Sequence, residues 1–359
     1  MLYNNKTSKS INIIILKWGD RMSVTRVAIN GFGRIGRSAF KIAFERSDIE
    51  VVAINDLTDT KTLSYLLKYD SNYGTYQYDV SSDDTGIIVD GKHIAVLSER
   101  DPKSLPWRGM SIDVVIESTG FFTKSEDASK HIQAGAKRVV ISGPTKSEDV
   151  DTIVLGANDE KIITSTPVVS NASCTTNSLG AAMAILDANF GIEKSMLTTV
   201  HSYTASQKVQ DAPAKDPREG RNAAENIVPT STGAAIAVTK VLPGLRGKFD
   251  GISMRVPTPV VSISDVTVLL SRDVTVEEVN GVFIKASKEP FYQGVLTVSD
   301  NPLVSRDYIG SSYSGIVDLA LTRVVDGNLV KVCIWYDNEW GYARRIVDMV
   351  RFLAGQKPF

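Results

Sequence analysis

Up to about residue 173, the hydrophobic residues fall in short continuous runs with glycine, proline or aspartate close behind. Val27-Ala28-Ile29, Ile49–Ile54, Ile112–Ile116 and Val139–Ile141 are of this kind, and such runs build parallel strands buried on both faces. Ser38–Arg46 lies between the first two at helical spacing. Strands alternating with helices predict an open, mostly parallel, doubly wound α/β sheet of Rossmann type. Beyond residue 173 the texture changes. Ser178–Asn189 reads as a helix and Met196–Val200 as an apolar strand, while Gly251–Pro257, Val260–Leu270 and Leu329–Tyr336 alternate like half-buried strands. Helical spacing returns from about Thr275 to Ser287 and from Gly341 to Leu353. This half predicts an α+β domain with a mostly antiparallel sheet and helices on one face. A long polar stretch, roughly 202–229, interrupts it, and a loop of that length in a compact domain is normally functional or an interface.

A chain of 359 residues is too long for one core. The division expected is 24–173 for the first domain, completed by the C-terminal helix at 338–359, and 174–337 for the second. Residues 1–23 are expected outside the fold. Their apolar run, Ile11–Leu16 between Lys9 and Lys17, is too short to span a bilayer, and no small-residue cleavage site follows it. Met22, just before the first strand, is the expected working start.

Charge narrows the function class. Lys plus Arg number 40 against 41 for Asp plus Glu, with no dense basic stripe, so neither a nucleic-acid partner nor a membrane partner is expected. Two cysteines, Cys174 and Cys333, are too few for a disulfide framework and point to the cytoplasm. No metal site is expected.

Gly31-Phe32-Gly33-Arg34-Ile35-Gly36 directly follows the first strand and opens a helix. In that context Gly31 permits the tight turn, Gly33 lets backbone approach a pyrophosphate, and Gly36 brings helix and sheet close. Asp56, at the end of the second strand, suits a ribose hydroxyl and would repel a 2′-phosphate, which favours NAD over NADP. An ordinary glycine turn with a loop carboxylate is the alternative for these residues.

Cys174 precedes the predicted helix, where the dipole and free N–H groups lower a thiol pKa and can hold an oxyanion. Of the three histidines, His93 sits in a turn–strand context and His131 on a helix. His201, at the end of a strand and the start of the polar loop, is the expected base. Taken alone, Cys174 reads more readily as a small packing residue than as a nucleophile, and packing is also the role expected of Cys333 in its strand.

The chain resembles glyceraldehyde-3-phosphate dehydrogenases from Val24 onward. The resemblance rests on Asn30–Arg37, Ala172-Ser173-Cys174-Thr175-Thr176-Asn177, His201-Ser202-Tyr203-Thr204, Pro229–Ala235 and Trp335–Tyr342. It implies a phosphorylating, NAD-dependent aldehyde dehydrogenase converting glyceraldehyde 3-phosphate to 1,3-bisphosphoglycerate. Cys174 would form a thiohemiacetal and then a thioester, with His201 as base and later acid. It further implies substrate and inorganic phosphate held by Ser173, Thr175, Thr204, Arg221, Thr232, Gly233 and Arg255. To the cofactor residues it adds Arg34, Ile35, Arg100, Ser142 and Asn338, the last for the nicotinamide carboxamide, and it implies a homotetramer. Glu219 departs from the basic residue some bacterial members carry, and a carboxylate there weakens anion binding unless it points away. Pro213 agrees with Asp56 on NAD, whereas Ala212 weakens that preference. The alternatives are an erythrose-4-phosphate dehydrogenase, which these motifs do not separate, and a non-catalytic NAD-binding interaction protein.

Overall fold

The structure is a computed structural model that describes residues 24–163 and 165–356; the expected extension over 1–23 lies outside the described residues. Backbone contacts divide the chain into two compact units. One comprises residues up to Ile153 with Asp159–Ala172 and Ala343 onward, and the other Val154–Asn158 with Ser173–Tyr342.

The first unit is built on a nine-stranded sheet. In chain order it contains β1 (Thr25–Asn30), α1 (Arg34–Phe44), β2 (Ile49–Asn55) and α2 (Thr60–Lys68). A small hairpin, β3 (Tyr69–Asp70) and β4 (Gly74–Thr75), precedes β5 (Val80–Ser82), β6 (Gly86–Val89), β7 (Lys92–Leu97) and β8 (Val114–Glu117). Then come α3 (Ser125–Gln133), β9 (Arg138–Ile141), β10 (Asp151–Thr152) and β11 (Val168–Ser170). The strand order is β10-β11-β9-β8-β1-β2-β7-β6-β5. From β10 to β7 every pair is parallel; only β7-β6 and β6-β5 are antiparallel. Apart from the turn–strand context of His93, that edge was missed from the sequence because its strands are short and mixed in polarity. Asp90 and Gly91, both at positive φ, make the two-residue turn joining β6 to β7. The continuous apolar runs are buried as such: Val27, Ala28, Ile29, Val114, Val115 and Ile116 have no exposed surface. Ala28, Ala53, Val115 and Val139 pack with Trp107 and Ala128 in one core cluster.

The second unit contains α4 (Cys174–Phe190), β12 (Ile192–Ser202), β13 (Val228–Ser231), α5 (Ala234–Val241), β14 (Phe249–Val256) and β15 (Ser262–Leu270). It continues with α6 (Val276–Ala286), β16 (Leu296–Ser299), β17 (Gly315–Val325) and β18 (Leu329–Tyr336). The order is β13-β14-β12-β15-β18-β17-β16, antiparallel except for the pairs β12-β14 and β16-β17. The mostly antiparallel α+β reading is therefore correct. Alternation decides the faces of this sheet. Leu197, Thr199 and His201 of β12 point inward, whereas Met196 is 62% exposed and Ile252 of β14 46% exposed. Thr275 caps α6 with a full capping box through Glu278. The last helix, α7 (Trp340–Leu353), begins one residue before its expected start. Two boundaries needed larger correction. Helix α4 starts at Cys174, not near Ser178, and β12 runs through His201 to Ser202, so His201 lies within a strand.

Candidate active site

Ser173 closes the start of α4: its hydroxyl accepts from the Thr176 N–H at 3.1 Å, leaving Cys174 as the first residue of the helix. Ala172 just before it has φ 54°, a left-handed backbone that turns the chain into the helix. The polar residues Ser173-Cys174-Thr175-Thr176-Asn177 thus form the first turn, and periodicity missed it because that turn is hydrophilic.

His201 reaches the thiol from β12, with its Nε2 3.5 Å from Cys174 Sγ. The parallel ladder pairs His201 with Arg255 of β14, and Arg255 Nη1 lies 2.5 Å from His201 Nδ1. Behind them, Tyr336 of β18 is buried, its hydroxyl 2.9 Å from those of both Thr175 and Thr199 and its ring edge-on to His201 at 6.0 Å. Tyr336 and Thr199 escaped the sequence reading; the signal available was a tyrosine on an inward position of an alternating strand.

The electrostatics correct one expectation. Burial pushes the Cys174 thiol above its ordinary pKa, against the opposing pull of the Arg255 charge and the Thr175 hydroxyl, so the helix start does not make it a standing thiolate. Burial, and then the Arg255 charge, hold the His201 imidazole down to about 3. At neutral pH the pair is a thiol facing an uncharged imidazole, which can take a proton. Cys333 differs: burial, then the charge of its cross-strand neighbour Asp265, push its thiol up to about 11.

The other expected phosphate residues are spread over several elements. Thr232 accepts from the Ala234 N–H at 3.2 Å, and Gly233 caps α5 with nothing within 4 Å of where a Cβ would stand. Thr204 bonds within its own loop, to Ser206 and Gln207, and Arg221 pairs with Asp211 at 2.9 Å, both well exposed. Glu219, the departure noted in the sequence, accepts from the Thr230 hydroxyl in β13. Asn338 Oδ1 accepts from Ser202 and Ser262 at 2.9 and 3.1 Å, which fixes the amide with Nδ2 as its remaining donor end. Val261, beside Ser262, is buried at φ 73°, a costly backbone for a β-branched residue.

In the first unit, the glycine turn and Asp56 come together. Asp56 accepts from the Phe32 N–H at 2.7 Å and the Thr58 N–H at 3.0 Å. Gly31 has φ 91°, and a Cβ there would stand 2.7 Å from the Thr119 N. A Cβ on Gly36 would stand 2.2 Å from the Gly31 carbonyl oxygen, yet one on Gly33 meets nothing within 4 Å. Gly33 is also the N-cap of α1 and offers no side-chain oxygen, so the first helical N–H groups keep their capacity for an anion. This cradle fits a dinucleotide pyrophosphate. The Arg34 side chain is engaged with Asp70 at 2.6 Å and lies over Tyr73, so what Arg34 and Ile35 offer a phosphate is backbone. The Ser142 N–H donates to the Glu117 carbonyl at 2.8 Å, and Arg100 is exposed.

A buried polar network under the strand ends was not read from sequence. Glu117 accepts from Asn30 Nδ2 at 2.5 Å, from the Thr119 N–H at 2.9 Å and hydroxyl at 2.5 Å, and lies 3.0 Å from His131 Nε2. Trp107 Nε1 donates to His131 Nδ1 at 2.9 Å, so the remaining imidazole proton belongs on Nε2, facing the carboxylate. His131 is thus a structural histidine, and His93 is an exposed partner of Asp83.

Comparison with known sequences agrees in both units. The model of the glyceraldehyde 3-phosphate dehydrogenase NAD binding domain matches residues 25–125, and that of the C-terminal domain matches residues 173–338. The chain is 53% identical over 332 residues to glyceraldehyde-3-phosphate dehydrogenase of Geobacillus stearothermophilus, covering 92% of this chain and 98% of that one. It is 51% identical over 330 residues to glyceraldehyde-3-phosphate dehydrogenase 1 of Bacillus subtilis (92% and 98%). With the glyceraldehyde-3-phosphate dehydrogenase of Borreliella burgdorferi it shares 52% over 335 residues (92% and 99%).

Proposed function

The chain belongs to the glyceraldehyde-3-phosphate dehydrogenase family, and from that premise we propose that it performs the family's glycolytic oxidation through Cys174 and His201. It is an NAD-dependent oxidoreductase acting on an aldehyde group. The observation that carries the residue assignment is the thiol at the first position of α4, 3.5 Å from an imidazole that burial keeps neutral.

The chemistry follows from these groups. His201 Nε2 takes the thiol proton as Cys174 Sγ bonds to the aldehyde carbon, and returns it to the oxygen, giving a neutral thiohemiacetal. The nicotinamide of NAD would supply the acceptor for the hydride on that carbon. His201 takes the hydroxyl proton in the same step, leaving a thioester on Cys174. An oxygen of inorganic phosphate then bonds to the thioester carbon, the C–S bond breaks, and the departing sulfur takes the proton held by His201, restoring the Cys174 thiol and the neutral imidazole as an acyl phosphate leaves. N–H groups at the start of α4 are available to the oxyanion of both tetrahedral adducts. Arg255, whose buried Nε has no partner among the described residues, is the guanidinium we assign to the substrate phosphate, with Thr204, Arg221, Thr232, Gly233, Ser173 and Thr175 as further ligands. For NAD we assign Gly31, Gly33, Gly36, the backbone of Arg34 and Ile35, Asp56, Arg100, Ser142 and the Asn338 amide. The first unit is then the cofactor domain and the second the catalytic one.

We also propose a homotetramer. The outward face of the seven-stranded sheet, with Met196 and Ile252 largely exposed, supports burial against a second copy. Two free thiols support the cytosol as its compartment. Among the described residues no helix is long and apolar enough to cross a membrane.

The test is NADH formation from NAD, phosphate and glyceraldehyde 3-phosphate, repeated with Cys174→Ser, without phosphate, and with erythrose 4-phosphate. Phosphate-dependent turnover, strongest on the triose and lost in the variant, is expected. Faster turnover of the tetrose moves the substrate assignment. No turnover of either by folded, NAD-binding protein refutes the catalytic reading.

A further inference from the structure

Asn55, Asn30 and Glu117 close the carboxyl ends of β2, β1 and β8, and they are in register: Asn30 pairs with Asn55 on one side and with Glu117 on the other. Paired residues on neighbouring parallel strands share a face, so the three form one polar row, and each is at most 5% exposed. The strand order sets β2 on one side of β1 and β8 on the other. The row therefore crosses the point where the order reverses, the place where open α/β sheets bind a ligand. The row also has a direction. Glu117 can only accept, and both its oxygens are taken by donors: Oε1 by the Thr119 N–H and hydroxyl, Oε2 by Asn30 Nδ2 and the His131 Nε2 proton. Asn30 must then turn its amide nitrogen to Glu117 and its oxygen to Asn55, whose Nδ2 donates to it at 2.7 Å. Asn55 in turn clasps the backbone of the loop after β7. It donates from Nδ2 to the Glu99 carbonyl at 2.9 Å and accepts the Glu99 N–H on Oδ1 at 2.8 Å.

We propose that Glu117 is a positioning residue for NAD, acting without touching it by fixing the two loops that meet the cofactor. This deepens, and rests on, the assignment of Gly31, Asp56 and Arg100 to the dinucleotide. One arm runs from Oε1 to Thr119, whose backbone nitrogen is the atom nearest to where a Cβ on Gly31 would stand, so it walls the glycine turn. Ser118 ties the same wall to the turn, its hydroxyl donating to the Gly31 carbonyl oxygen at 2.7 Å. The other arm runs from Oε2 through Asn30 and Asn55 to Glu99, the residue before Arg100. The loop it holds starts beside the ribose carboxylate, because the Asp56 N–H donates to the Leu97 carbonyl oxygen at 3.0 Å. A third branch, through His131, leads away to Trp107 in the core cluster. A neutral amide does not replace the carboxylate. Whichever way a glutamine side chain turned there, its NH₂ would face donors, the Thr119 N–H on one side or Asn30 Nδ2 and His131 Nε2 on the other. One arm would lose its acceptor, and a loop in place only part of the time binds NAD in proportion to that fraction.

Glu117→Gln is compared with the parent by NAD titration calorimetry, urea unfolding, steady-state kinetics and amide hydrogen exchange on the full chain. The Kd and KM for NAD are expected to rise roughly tenfold, with a much smaller change in kcat at saturating NAD. The Thr119 or the Glu99 amide should exchange faster than in the parent. Trp107→Phe is the control, since it weakens the same network on the branch that leads to the core. The Glu117 carboxylate still holds the His131 proton on Nε2 there, so NAD should bind within about threefold of the parent although stability falls. If Glu117→Gln does not fold, Asn30→Ala decides. It removes the relay to Asn55 and leaves Glu117 its Thr119 contacts, so NAD should bind roughly fivefold more weakly and, of the two amides, only Glu99 lose protection. NAD affinity within about threefold of the parent in the deciding variant overturns the inference, and so does an equal loss of affinity in Trp107→Phe. Weaker binding with both amides protected as in the parent also overturns it, while sparing the assignment of the cofactor residues. A parent protein that does not bind NAD overturns both.

Discussion

Gly33→Ala separates cofactor binding from folding, because the space beside Gly33 is empty in the protein itself. A Cβ there meets no atom within 4 Å, and the backbone, at φ −74° and ψ −157°, is open to any residue. Two small effects on stability oppose each other. Alanine is a poorer N-cap than glycine, by less than about 1 kcal/mol, while the loss of unfolded-state freedom contributes about 0.4–1 kcal/mol. Net stability is therefore expected within about 1 kcal/mol of the parent. The methyl nevertheless occupies the approach to the first N–H groups of α1. If it denies a pyrophosphate one charge-assisted hydrogen bond, the loss is about 1.5–3 kcal/mol, or about 10- to 150-fold in Kd. Gly36→Ala is the contrast. Its Cβ would stand 2.2 Å from the Gly31 carbonyl oxygen, which the Ser118 hydroxyl already holds at 2.7 Å, so helix and turn must part and stability falls together with affinity. Titration calorimetry with NAD and urea unfolding read the two quantities separately. A Gly33→Ala protein that binds NAD within about threefold of the parent would refute the backbone-approach argument.

Three further outcomes follow from the buried polar groups. His201 folds with a pKa near 3 against 6.5 when free, so below pH 6.5 the unfolded chain binds a proton that the folded one refuses. Its contribution is intact above pH 6.5 and is lost at about 1.4 kcal/mol per pH unit down to about 3. Between pH 6.5 and 5 the parent should lose about 2 kcal/mol more than His201→Asn in urea unfolding, and equal losses would contradict the assignment. Trp107→Phe removes the donor to His131 Nδ1 in a fully buried setting and should cost about 1–3 kcal/mol, with NAD-domain amides losing hydrogen-exchange protection. Iodoacetamide at pH 8 should label Cys174 roughly tenfold or more faster than Cys333, because Cys174 is partly exposed and faces His201 whereas Cys333 is buried in its strand; comparable labelling in folded protein, read by peptide mass, would show that Cys333 is not a packing residue.

The parallel strands were legible because burial on both faces leaves continuous apolar runs, and Gly31, Gly33, Gly36 and Asp56 were legible because turn, helix start and strand end occur in the order the chemistry needs. What escaped were features made by partners distant in sequence. The β5–β7 edge has too few residues to show a period. The Glu117–His131–Trp107 chain joins residues apart in sequence, and the polarity of Glu117 and His131, taken singly, suggests exposure. Tyr336 reads as one more aromatic strand residue until β18 is placed beside β15. The expected fall in the Cys174 pKa failed for a related reason: sequence reveals the helix start but not the burial that outweighs it.

His201 and Arg255 are direct partners in an eight-residue parallel ladder, from Ser195 with Phe249 to Ser202 with Val256. Their spacing is therefore a property of sheet register and owes nothing to the path of the chain between them. The connecting segment can gain, lose or exchange residues over much of its exposed length, 208–218 for instance, without altering the distance between base and cation. Evolution can remodel this loop for new partners or conditions while the proton chemistry is inherited unchanged.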